Sequence, residues 1–81
     1  MSKADKMFEE LGYKKIRDNE KEILYKKDKV SQEYFIAFGF ETKTVMCEYA
    51  DEDYEMNGAF DFNMQELQAI NEKCKELGWI E

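Results

Sequence analysis

Apolar positions along the chain change period twice, and the changes divide it into three parts. Ala4, Met7, Phe8 and Leu11 recur at helical spacing behind Ser2, which stands three residues before Asp5 as in a capping box, so a short helix is expected from Ser2 to Gly12. Leu67, Ile70, Cys74 and Leu77 form a second helical stripe behind Asn63 and Glu66, with Glu72, Lys73, Lys75 and Glu76 on its polar side. Between the two the period is two. Ile23 and Tyr25, then Tyr34, Ile36, Phe38 and Phe40, then Val45, Cys47 and Tyr49, then Phe60 and Phe62 mark strands, and residues 13–17 offer one more.

Both helical stripes run into the same string, Glu-Leu-Gly-aromatic, in "FEELGYKK" and "KELGWIE". Gly12 and Gly78 fit the left-handed position just past a helix, and Tyr13 and Trp79 the place where a side chain folds back over the last turn, Trp79 near Cys74 or Lys73. Nothing else in the two halves matches, so these are two helix ends and no repeat. Asp18-Asn19, Asp28-Lys29, the Glu41 to Lys43 stretch and Asn57-Gly58 read as turns short enough for antiparallel neighbours. The expected fold is α+β: a helix, a meander of three to five antiparallel strands, and a helix, with both helices on one face of the sheet. "YFIAFGF" is apolar on both sides, which places it centrally, and Gly39 suggests a bulge or a close approach by a helix. The expected core is Phe8, Leu11, Ile23, Ile36, Phe38, Val45, Cys47, Phe60, Leu67, Ile70, Cys74, Leu77 and Trp79.

Eighty-one residues make a single domain, residues 1–81, and 43% hydrophobic residues suffice for a core despite 38% charged ones. No apolar run approaches the roughly 18 residues of a membrane span, and no signal segment opens the chain, so a cytoplasmic protein is expected, without membrane contact. Cys47 and Cys74 stand 27 positions apart in a chain without His, which fits neither a zinc site nor a CxxC redox pair; both read as core thiols.

Candidate chemistry narrows further. Without His, and with Ser2 and Ser31 in cap and turn positions, no catalytic constellation emerges, and four isolated glycines make no phosphate loop. Asp51, Asp53 and Glu55 alternate like the start of a calcium loop, but Met56 stands where such a loop needs Gly and Phe62 where it needs Glu. No enzyme activity, cofactor or metal is therefore expected. Charge is the remaining signal: residues 13–30 carry seven bases against four acids, residues 31–81 three bases against twelve acids, and the whole chain is −7. Glu48, Asp51, Glu52, Asp53 and Glu55 are the candidate partner-binding set, and Lys14, Lys15, Arg17, Lys26 and Lys27 the alternative basic patch.

The two ends, "ADKMFEELGYKKI" and "MQELQAINEKCKELGW", resemble the ends of a family of small, uncharacterised phage and prophage-encoded proteins of low-GC Gram-positive bacteria. The resemblance covers roughly the first 17 and last 18 residues, and its motifs are caps and core positions. It implies a mobile-element product working inside a bacterial host, and it carries over no catalytic or binding residue. The resulting expectation is a non-enzymatic accessory protein, a monomer or weak homodimer, that binds a host or phage protein. The alternatives are an acidic decoy of a host DNA-binding protein, and nucleic-acid binding through segment 13–30.

Overall fold

A computed structural model describes residues 2–51 and 56–81. Helix α1 (Lys3–Glu10) leads into strands β1 (Lys14–Asp18), β2 (Glu22–Lys29), β3 (Gln32–Gly39), β4 (Thr44–Asp51) and β5 (Met56–Ala59), and helix α2 (Met64–Glu76) follows. Every neighbouring pair is antiparallel, and the sheet order is the chain order, β1 to β5. The expected helix, meander and helix are all present, with five strands.

Both helices end as their sequences demand. At α1, Tyr13 N–H donates to the Phe8 carbonyl at 2.9 Å and Gly12 N–H to Glu9 at 3.0 Å; at α2, Trp79 N–H donates to Cys74 at 2.9 Å and Gly78 N–H to Lys75 at 3.0 Å. These paired bonds define the Schellman motif, and they require the φ of +94° at Gly12 and +76° at Gly78. The starts differ. Asn63 and Glu66 exchange both bonds of a capping box, whereas Ser2 caps the Asp5 N–H and the Asp5 carboxylate turns inward.

The core lies between the helices and one sheet face. Phe8 of α1 stacks on Tyr25 of β2 with ring centroids 4.1 Å apart, and Phe38 of β3 meets both rings edge-on. Tyr13, Ile23, Ile36, Ala69, Ile70 and Cys74 complete the buried cluster, with Leu11, Val45, Cys47, Phe60, Leu77 and Trp79 half-buried around it. Ala4, Tyr13, Tyr25 and Ala69 are buried beyond the expected set, while Leu67 is only half-buried. Trp79 packs against Phe38 and Phe40 across the sheet, beyond its own last turn.

Several local expectations need correction. Asn57-Gly58 makes no turn; both residues lie within β5, where Gly58 pairs with Tyr49. The last strand ends at Ala59, so Phe60 follows it and Phe62 is exposed. Gly39 ends β3 in regular register with Glu22 and Thr44, and the register shift falls instead in β1, between Lys15 and Arg17. β3 is the central strand, as its two apolar sides suggested, yet the helices cover only one of them.

Candidate functional site

Two ionic clusters, one partly buried and one buried, tie the helices to the sheet. In the first, Asp5 of α1 accepts from Tyr25 Oη, from Lys15 Nζ at 3.1 Å and from Lys73 Nζ of α2 at 3.3 Å. Burial alone raises the Asp5 carboxyl, but these donors and the Lys73 charge outweigh it and hold it at about 2. Glu76 extends the cluster, accepting from the Ala4 N–H at 2.9 Å, so a carboxylate of α2 serves an open donor in the first turn of α1. In the second cluster Glu66 accepts from Tyr13 Oη and the Asn63 N–H, with Lys27 Nζ 3.7 Å away. Desolvation first, and the carboxylate partner second, push both Tyr13 and Tyr25 hydroxyls well above the usual phenol range. These groups are consumed by one another: among the described residues no buried side-chain nitrogen or oxygen lacks a partner.

The basic set is dispersed by the alternation of the strands. Lys15 and Lys27 lie on the helix side of the sheet, bound to Asp5 and Asp18 and to Glu66 respectively, and Lys27 also sits over the Tyr13 ring at 4.7 Å. Lys14 pairs in register with Lys26, on the opposite side, where Lys26 meets Glu33 at 3.1 Å and Asp28 at 3.6 Å. Arg17 pairs with Glu22 at 3.3 Å. Four of the five cations therefore already face carboxylates. The acidic set divides as well: Glu48 and Asp51 are three positions apart on β4 and so fall on opposite faces, Asp51 accepting from Gln32 Nε2 at 3.4 Å. Glu52, Asp53 and Glu55, and with them most of the calcium-like spacing, lie outside the described residues.

Cys74 is buried and Cys47 half-buried, and both thiols are free. Desolvation, followed by the Glu66 charge, pushes Cys47 up to about 11, which makes it a poor nucleophile. Among the described residues no three His, Cys, Asp or Glu side chains are grouped as metal ligands.

What the strands do assemble is the face opposite the helices. Because Ile23, Tyr25, Ile36, Phe38, Val45 and Cys47 point to the core, Leu24, Lys26, Phe35, Ala37, Met46 and Glu48 point away from it. The register aligns them in two rows: Arg17, Leu24, Ala37 and Met46, and beside it Lys14, Lys26, Phe35, Glu48 and Ala59. A shallow hollow of about 450 Å³ lies over Leu24, Phe35, Ala37 and Met46, rimmed by Lys21, Glu22, Thr44 and Glu48. Met46, on its β4 side, is 55% exposed. The double apolar alternation of "YFIAFGF" was the signal for this face, and it was legible as a central strand rather than as a surface. Comparison with family models, with curated proteins and with solved structures gives no match.

Proposed function

We propose that this chain is a non-enzymatic binding module that docks another protein on the open face of its sheet. The observation that carries the reading is the apolar centre of Leu24, Phe35, Ala37 and Met46, which neither helix covers. Antiparallel sheets commonly present one solvated face, but such a face is ordinarily polar at alternate positions, and here the three middle strands each contribute apolar residues to it. Charge restricts the partner: Lys26 on one side of Phe35 favours a carboxylate above β2, and Glu48 on the other favours a cation above β4. The bacterial and phage setting rests on the resemblance of the two chain ends. Division of the basic set between the two faces of the sheet, with Lys15 and Lys27 held by Asp5 and Glu66, weighs against phosphate recognition by segment 13–30.

A photo-crosslinking amino acid in place of Phe35, compared with one in place of Val30 on the exposed β2–β3 turn, tests the reading in cells. Adducts to a polypeptide from position 35 and not from position 30 are expected. A chain that forms none from position 35 is not a module of this kind.

A further inference from the structure

We infer that the open face pairs with the same face of a second copy of this chain, about a two-fold axis running along β3. The inference rests on the reading of this face as the protein-binding surface and names its occupant.

The register supplies the argument. Lys26, Phe35 and Glu48 occupy one row across β2, β3 and β4, and Leu24, Ala37 and Met46 the next. A two-fold axis along the central strand lays β2 of one copy over β4 of the other, since the sheet order is β1 to β5. Lys26 then lies over Glu48 of the second copy and Glu48 over its Lys26. Leu24 lies over Met46, Met46 over Leu24, and the Phe35 and Ala37 side chains meet their own copies at the axis. The base, apolar, acid pattern of Lys26, Phe35 and Glu48 is thus complementary to itself, and both charges of that row receive an opposite one. A two-fold axis across the strands lacks this property, because it sets Lys26 over Leu24 and Glu48 over Met46, charge against hydrocarbon.

The local ion pairs permit the exchange. Lys26 meets Glu33 of β3 at 3.1 Å and the exposed Asp28 at 3.6 Å, and such partly solvated pairs hold little net energy to be lost when a further carboxylate approaches. Glu33 approaches its own copy near the axis, but each retains its Lys26 as counter-ion, and the twist of β3 turns the two carboxylates to opposite sides of the axis. Size sets the strength. Strands about 4.8 Å apart and residues about 3.3 Å apart give a face of about 19 by 23 Å, which belongs to the small, weak class of interfaces. A dimer that forms at micromolar concentrations and above is the expected outcome.

Charge exchange tests the register itself. Lys26→Glu places acids on both sides of Phe35, and Glu48→Lys places bases there, so each variant repels its own copy while the two complement each other. In sedimentation equilibrium at physiological salt the native chain is expected to move from one chain mass to two as concentration rises. Each variant alone should associate at least about tenfold more weakly, and an equal mixture should recover the native behaviour as a heterodimer. Near-UV circular dichroism verifies the fold of each. If Lys26→Glu fails to fold, Phe35→Asp, which changes only the open face, must hold the chain monomeric. A native chain that stays at one chain mass up to about 200 µM, or variants that each associate as well as it does, overturn the pairing. The two levels separate cleanly: a monomeric chain that still crosslinks from position 35 to a different protein overturns self-pairing alone, and one that crosslinks to nothing overturns the binding face as well.

Discussion

Gly78 shows how a single residue sets the end of an element. Among the described residues, no atom outside Gly78 and its two chain neighbours lies within 4 Å of where its Cβ would sit, so any cost of substitution comes from the backbone at φ +76°. Gly78→Val is expected to lower stability by about 1–2 kcal/mol, and Gly78→Ala by less, in urea unfolding. Gly12 combines φ +94° with a Cβ position 3.3 Å from Lys27 Cδ, so the same change there also displaces the lysine. The reverse case is Ser31, a non-glycine at φ +63° in the two-residue connection between β2 and β3. Ser31→Gly should raise stability by roughly 0.5 kcal/mol, because relief of the left-handed strain exceeds the added freedom of the unfolded chain; a lowered melting temperature would contradict it. At Cys47, a thiol raised from 9.0 to about 11 leaves little thiolate at pH 8. Its reaction with a disulfide reagent should therefore be on the order of 100-fold slower in the folded chain than after denaturation.

At the level of elements, the helices are held to the sheet by ionic hydrogen bonds as much as by hydrocarbon. An isolated helix of eight residues such as α1 is marginal in water, and its persistence depends on Ala4 and Phe8 in the core and on Asp5 beneath them. Asp5 is held at about 2, below its ordinary 3.8, so its contribution is complete above about pH 4 and is lost as pH falls toward 2. The shift corresponds to stability on the order of 2 kcal/mol. Asp5→Asn should be less stable at neutral pH and should show a flatter acid limb between about pH 4 and 2. The Glu66 cluster makes a parallel case. Tyr13→Phe removes the hydroxyl that donates to a buried carboxylate while leaving the ring in place, and a loss of roughly 1.5–3 kcal/mol is expected in urea unfolding.

For the whole molecule, one core joins the first helix to the last residues: Phe8 contacts Phe38, and Phe38 contacts Trp79. Unfolding monitored by Trp79 fluorescence and by far-UV circular dichroism should therefore coincide in one transition; two separated transitions would divide this core. Placing both helices on one side has a second consequence. A five-stranded sheet has two faces, α1 and α2 cover only one, and the apolar centre of the other remains available to a partner. The open face is thus a by-product of the layer arrangement, with Lys26 of β2 and Glu48 of β4 on either side of Phe35.

Sequence alone determined the features whose causes are local. Helix ends were legible because Gly12, Gly78 and the aromatics after them act within one turn, and strands β1 to β4 because alternation is a property of consecutive residues; β5 was placed too late in the chain. The antiparallel order followed from short connections between neighbours. Tertiary structure decided whatever depends on residues far apart in the chain. Lys15 and Lys27 counted as a basic patch until the fold placed Asp5 and Glu66 beside them. Tyr13 and Tyr25 stood outside the expected core, and both rings are buried because Glu66 and Asp5 meet their hydroxyls. Gly58 carried a turn signal, but pairing with Tyr49 held it in β5. The row of Lys26, Phe35 and Glu48 exists only through cross-strand register, which sets residues 9 and 13 positions apart side by side. Neighbours along a chain share its local geometry, whereas neighbours across a sheet are chosen by the burial of the opposite face.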